Sequence, residues 1–296
     1  MAWERIGRWI SVAQVSNPVV QQRRLRTELR KARDRAGRTQ REVADALDWS
    51  TSKVIRIETG AVNISTTDLR ALLQFYGESP EFIDDLVQTA RAGRQRVWWD
   101  RYKNNLDPAM ITLLEFESST SLIRQYQSLV IPGLLQTEDY AREILRMYSS
   151  EDQLEYKVKL RMDRQRILRG EDAVRAFFIM DEAALRRWVG GPAVMRKQLE
   201  LIKEWGRQPN VTIQVLTFDR GIHRGMRGNF EVFEFATEDQ DHVVYLEWPG
   251  GSTVVQNNPK QVSQYVEWFI TLEQLAPPPE TLDVVIDRLM EEMPAS

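Results

Sequence analysis

The stretch Arg38–Gly60, RTQREVADALDWSTSKVIRIETG, constrains this chain more than any other. Its start, turn and stop signals leave room for only two short helices joined by a tight turn. Thr39 stands where a hydroxyl accepts from the free N–H groups of a first helical turn, and Glu42, three residues on, completes a capping box. Val43, Ala44 and Leu47 then share one face at helical spacing. Asp48-Trp49 makes the turn, Ser50 is a second N-cap, Val54 and Ile57 lie on the inner side, and Gly60 supplies a left-handed stop. The outer side of the second helix carries Thr51, Ser52, Lys53 and Arg56, small hydroxyls followed by long cations, which suits entry into a DNA major groove. A helical hairpin used for protein contact has the same periodicity. The caps, the outward cations and the glycine stop together favour the groove-reading helix.

Charge supports that choice. Residues 20–60 hold eleven Lys/Arg and six Asp/Glu, a net +5 on a chain of net −3, so the remainder carries −8. A basic module on an acidic body fits contact with nucleic acid by one end, although an Arg-rich helix is also a common solvated surface. At 296 residues, 42% of them hydrophobic, the chain is long enough for two cored domains. No run approaches the ~18 apolar residues of a membrane span, and MAWERIGRWI lacks the apolar core of a secretory signal. There are no cysteines and only two histidines, His223 and His242, without ligand spacing. The expectation is a cytoplasmic, nucleoid-associated protein with no membrane contact, no metal and no cofactor.

Around the opening stretch the chain divides readily. Residues 1–17 form an N-terminal extension, in which Trp3, Ile6 and Ile10 share one stripe before Asn17-Pro18 breaks the chain. Residues 18–92 read as a five-helix domain: a long basic helix with Leu25, Leu29 and Ala32 inward, the two helices already described, one capped at Ser65, and one entered through Ser79-Pro80. Regular apolar periodicity lapses over 93–108, taken as a linker. There Trp98, Trp99 and Tyr102 either stack on bases or, as the blander and favoured reading, pin the linker to the second domain. Residues 109–276 read as a larger α+β domain. The run from Met110 through Gln127 is expected as helix, AFFIM, VTIQVLTF, NFEVFEF and HVVYLEW as about four strands, and GIHRGMRGN as a hairpin loop between the second and third. A final amphipathic helix occupies 280–296. The fold class is therefore mainly α with α+β.

Thr39-Gln40, Ala44, Ser50, Val54, Arg56-Ile57-Glu58 and Gly60 resemble the Xre-type, phage-repressor-like helix-turn-helix regulators, over residues 20–90. The resemblance implies that Gln40 helps clamp a phosphate or base edge. It also implies that Thr51, Ser52, Lys53 and Arg56 face the groove, and that Glu58 is a structural brace paired with Arg33. The DNA-contact set is then Thr39, Gln40, Arg41, Ser50, Thr51, Ser52, Lys53 and Arg56, with Arg23, Arg24 and Arg38 as further phosphate contacts. Ile55 departs from the pattern, being apolar where a small polar residue is common; it meets a thymine methyl or is covered by another part of the protein.

VIPGLLQTEDYARE, RMDRQRIL, FFIMDEAALRRWVGGPAVMRKQL, VTIQVL and VVYLE are similar to the C-terminal domain of a large actinobacterial, antitoxin-like group of such regulators, a domain of unknown function. The expectation is a transcriptional regulator that acts on double-stranded DNA, as a homodimer on a palindromic operator. The resemblance implies regulation of a neighbouring operon. It also implies a small protein partner encoded nearby, with capture of that partner as the alternative principal role. An enzyme is not expected: no nucleophile elbow, P-loop or dinucleotide fingerprint occurs. Three weaker features stay open. Asp181-Glu182 is a carboxylate pair or a helix start, His223-Arg224 an anion-binding loop or a plain connection, and Arg161, Arg164 and Arg166 a phosphate site or a helix face with an internal acidic partner.

Overall fold

A computed structural model of the chain describes residues 17–235, 242–248, 251–256 and 258–294. The stripe of Trp3, Ile6 and Ile10, and all of the expected extension except Asn17, lie outside the described residues. The chain splits into two compact units, Met1–Arg101 and Tyr102–Ser296. The division falls inside a 3-10 helix, Trp98–Asn105, within the stretch expected as linker. Trp98 and Trp99 meet edge to face, while Tyr102 sets its ring against Tyr156 and its hydroxyl on Asp163, both in the second unit.

The first unit holds five described helices: α1 (Pro18–Arg35), α2 (Gln40–Ala46), α3 (Thr51–Thr59), α4 (Thr66–Phe75) and α5 (Pro80–Ala92). Each begins at a side-chain cap, supplied in turn by Asn17, Thr39, Ser50, Ser65 and Ser79. Those caps take up N–H groups that a helix cannot satisfy itself. One apolar cluster unites the five, with Leu29, Val43, Val54, Leu69, Leu72, Leu73 and Leu86 at its centre. Each such side chain contributes about 1.5–3 kcal/mol by leaving water.

The second unit is built on one sheet of six strands: β1 (Leu122–Gln127), β2 (Arg175–Asp181), β3 (Val211–Leu216), β4 (Phe230–Glu234), β5 (Val243–Trp248) and β6 (Gly251–Val255). Their order is β3-β2-β1-β4-β5-β6. The expectation of about four strands is corrected at two places. The helix expected to run through Gln127 stops at Ser119, where Thr120 turns its hydroxyl to the carbonyls of Leu122 and Glu234, and β1 follows. The weak GSTVV run pairs on β5 as the edge strand β6. β1, β2 and β3 are parallel, whereas β4, β5 and β6 continue antiparallel from β1.

Helices fill both faces of this sheet. α6 (Pro108–Ser119), α7 (Glu138–Arg146), α8 (Glu151–Arg164), α9 (Glu182–Arg186), α10 (Pro192–Gly206), α11 (Pro259–Leu275) and α12 (Leu282–Glu291) complete the unit. Ile123, Phe178, Ile213 and Phe233 face α6, α10 and α12, while Tyr126, Ile179, Val232 and Val244 face Val262, Phe269 and Leu272 of α11. The final helix thus packs in the main core through Leu282, Ile286 and Leu289. Because β3 and β4 are separated by two strands, the glycine-rich loop between them is not the expected hairpin. It crosses the carboxyl ends of β2 and β1.

Candidate nucleic-acid interface

Local chemistry fixes α2 and α3 before any partner is considered. The Thr39 hydroxyl accepts from the Glu42 N–H at 3.3 Å, and the Glu42 carboxylate accepts from the Thr39 N–H at 2.8 Å. Those contacts hold the exposed Glu42 carboxyl below its usual range, the backbone bond from Thr39 first among them. Asp48 closes the turn at φ 54, a left-handed conformation that Asp tolerates better than most residues. The Ser50 hydroxyl accepts from the Lys53 N–H at 3.1 Å, and Gly60, at φ 79, ends α3.

Orientation of α3 rests on a buried carboxylate. Glu58 is 3% exposed, and both of its oxygens are used: Arg33 Nε donates to Oε1 at 2.7 Å and Gln40 Nε2 to Oε2 at 2.8 Å. Arg33 also donates through Nη1 to the Arg38 carbonyl at 3.0 Å. One carboxylate therefore ties α1, α2 and α3 together. Gln40, which the family resemblance assigns to the DNA clamp, gives its amide nitrogen to this brace.

With Val54, Ile57 and Glu58 turned inward, Thr51, Ser52, Ile55, Arg56 and Thr59 are exposed on α3. Ile55 stands 41% open. The two cations of that face differ. Lys53 folds back, its Nζ 3.1 Å from Asp68 Oδ2 and 3.7 Å from the Trp49 ring centroid. The Arg56 guanidinium makes no hydrogen bond or ion pair among the described residues and stands in solvent. Of the remaining candidates, Arg41 is exposed and only 3.9 Å from Asp45, a separation worth little in water. The Thr39 hydroxyl both accepts from and donates to Glu42, whereas the Ser50 hydroxyl keeps its proton free to donate. Arg24 is held by Asp85 at 2.6 Å, and Arg38 lies over the Phe75 ring. Asp68 and Trp49, which decide where Lys53 points, carry no signal in the sequence beyond a cap and a turn.

The weaker candidates fall in the second unit. Asp181 caps α9 through the Ala183 N–H, with its other oxygen 3.3 Å from His223 Nε2. Glu182 is buried and accepts from Arg186 Nε at 2.6 Å and the Phe218 N–H at 2.8 Å, which makes it a structural tie. Arg164 grips buried Glu117 with both prongs. Among the described residues no group of three or more His, Asp or Glu is placed to hold a metal, and no helix is long and apolar enough to cross a membrane.

Residues 110–287 match the family described as a domain of unknown function (DUF5753), and residues 24–86 match one described as a helix-turn-helix domain. The second match spans α1 to α5, including the braced α3. No curated protein and no solved structure matches the chain.

Proposed function

We propose that this chain, which belongs to the DUF5753 family and carries a helix-turn-helix domain ahead of that domain, is a sequence-specific DNA-binding transcriptional regulator whose α3 enters the major groove. The observation that carries the reading is the division of labour on α3. Its inner side is locked by Glu58, while its outer side presents hydroxyls and one uncommitted guanidinium, Arg56. A rigidly held helix with a free fork of N–H donors is suited to the paired acceptors of guanine. Arg41, exposed at the start of α2, supplies a phosphate contact. Lys53, held by Asp68, must exchange an ion pair for a phosphate to take part.

The second unit is the regulatory part on this reading, acting by binding rather than by turnover. It dimerises the regulator on a palindromic operator and receives a small partner, a protein encoded nearby or a ligand. The Xre and antitoxin-like likeness of the sequence motifs supports that assignment. The test is chromatin mapping followed by binding to the recovered site. Arg56→Ala is expected to cost about 1–3 kcal/mol at the cognate site and much less on random DNA. Equal losses on both would remove base readout by α3, and a footprint over one short half-site would remove the dimer.

A further inference from the structure

The second unit contains a polar layer that its fold does not require. Ile123, Gln125 and Gln127 share one face of β1, and Glu231 of β4 stands opposite Gln125 in the sheet register. The Gln125 amide donates to the Glu231 carboxyl. Near this face stand Glu117 of α6 and Arg161 and Arg164 of α8, close enough for their charges to act on Glu231. Glu117 and Arg164 form a closed pair, with Nε–Oε2 at 3.0 Å and Nη2–Oε1 at 2.6 Å, and cancel each other.

Arg161, one turn earlier on α8, has no such partner. Its Nη1 donates to the amide oxygen of Gln136 at 2.9 Å, and among the described residues no carboxylate lies within 4.0 Å of it. Gln136 is itself pinned, by its Nε2 to the Ile131 carbonyl and by Gln165 at its own carbonyl. Gly133 is shaped to the guanidinium, since a Cβ there would stand 3.1 Å from Arg161 Nη1. Nearby carboxylates do not balance the charge. Burial, with the Glu117 charge, pushes Glu231 up to about 8, so that it is largely protonated at neutral pH. Glu247, on β5, is exposed and hydrated. Arg161, lowered by burial to about 10, is still a cation. Arg161 is thus a cation with no carboxylate paired to it among the described residues. The layer also holds an orphaned acceptor, because buried Gln127 has no donor for its Oε1.

Arg161 is half-buried, and a guanidinium that meets a neutral amide and no carboxylate among the described residues keeps N–H donors open to an incoming anion. We propose that the second unit binds a small oxyanion, a carboxylate or phosphate bearing its own hydrogen-bond donor, on Arg161 between α8 and the β1–β4 face. The open N–H groups of Arg161 take the oxyanion, the protonated Glu231 carboxyl tolerates it, and Gln127 Oε1 accepts from the ligand's donor. This site goes beyond the DNA-binding reading and stands or falls independently of it.

Thermal unfolding of the full chain at pH 7 tests the site, with inorganic phosphate in one arm, malate in another, and chloride at matched ionic strength as reference. A saturable rise of a few degrees is expected in at least one arm, and the arm identifies the source of the oxyanion. Arg161→Met is expected to match or exceed the wild-type Tm without anion and to show no anion-dependent shift. Glu231→Gln should bind as well at pH 9 as at pH 7, whereas the wild type should weaken at least threefold as Glu231 ionises beside Glu117 and Glu247. No saturable shift in either arm, or an undiminished shift in Arg161→Met, overturns the proposal. Should Arg161→Met fail to fold, identical pH profiles for wild type and Glu231→Gln overturn it instead.

Discussion

Glu58 shows how a single side chain sets the geometry of the first unit. Its carboxylate is nearly closed to solvent and survives there because Arg33 and Gln40 satisfy both oxygens. Arg33→Met leaves that charge with the Gln40 amide alone, and the expected loss is about 3 kcal/mol, measured as a lower first-unit transition in calorimetry. Glu58→Gln should cost less, because its carbonyl still accepts from Arg33 and no charge is stranded. The Arg33–Glu58 pair was legible in the sequence through the family pattern. The second bond, from Gln40, was not, since nothing in the spacing of residues 40 and 58 says that both oxygens of one carboxylate are taken. Glu231 is the converse case, a carboxyl held neutral. Its folded pKa of about 8 lies above the ordinary value of about 4.3, so its contribution is complete below about pH 4.3 and is lost as pH rises through 8. Glu231→Gln should therefore gain Tm over wild type progressively from about pH 5 to about pH 8 and hold that gain above it.

Among the elements, the capped helices and the four strands with clear β-branched and aromatic runs are legible in the sequence, while β1, β6 and the path from β3 to β4 are not. α2 and α3 begin at Thr39 and Ser50 and stop before Gly60, as the caps and the glycine dictate. Ser50→Ala removes the oxygen that accepts from Lys53 N–H and should cost about 1 kcal/mol in the same first-unit transition. β1 reads as a continuation of helix in the sequence because Arg124, Gln125 and Gln127 hide its alternation. Arg124 and Gln125 find their partners on β4, more than 100 residues away. The connection from β3 to β4 looked like a hairpin for the same reason: strand order is not written locally. Its true path brings Gly225 onto the Tyr126 ring, where a Cβ would stand 2.3 Å from Cζ. Neither a ring at 0% exposure nor the backbone above it yields easily, so Gly225→Ala should cost about 2 kcal/mol in the second-unit transition. A cost near zero would mean that the loop lifts freely from the sheet.

For the whole molecule, charge is unevenly divided, and that division governs how it meets DNA. The basic segment 20–60 carries +5 and the remainder −8, so attraction to phosphates is confined to one module while the rest is repelled. Arginines of that segment are already paired with acidic residues elsewhere in the first unit, Arg24 with Asp85 and Arg35 with Glu78. The cations left for DNA are therefore fewer than the composition suggests, and the sequence alone overstates them. Arg41 and Arg56 should separate the two components of binding. Arg41 lies at the start of α2, is exposed, and has only a distant Asp45 beside it. Replacing it with Ala should weaken cognate and random DNA alike and make the slope of log K against log salt shallower by about 0.9. Arg56→Ala should instead erode the ratio between the two DNAs, because a base contact adds discrimination that phosphate contacts do not. Anisotropy titrations from about 50 to about 200 mM salt measure both quantities at once. If Arg41→Ala changed the specificity ratio more than Arg56→Ala did, α2 rather than α3 would be the element that reads the groove.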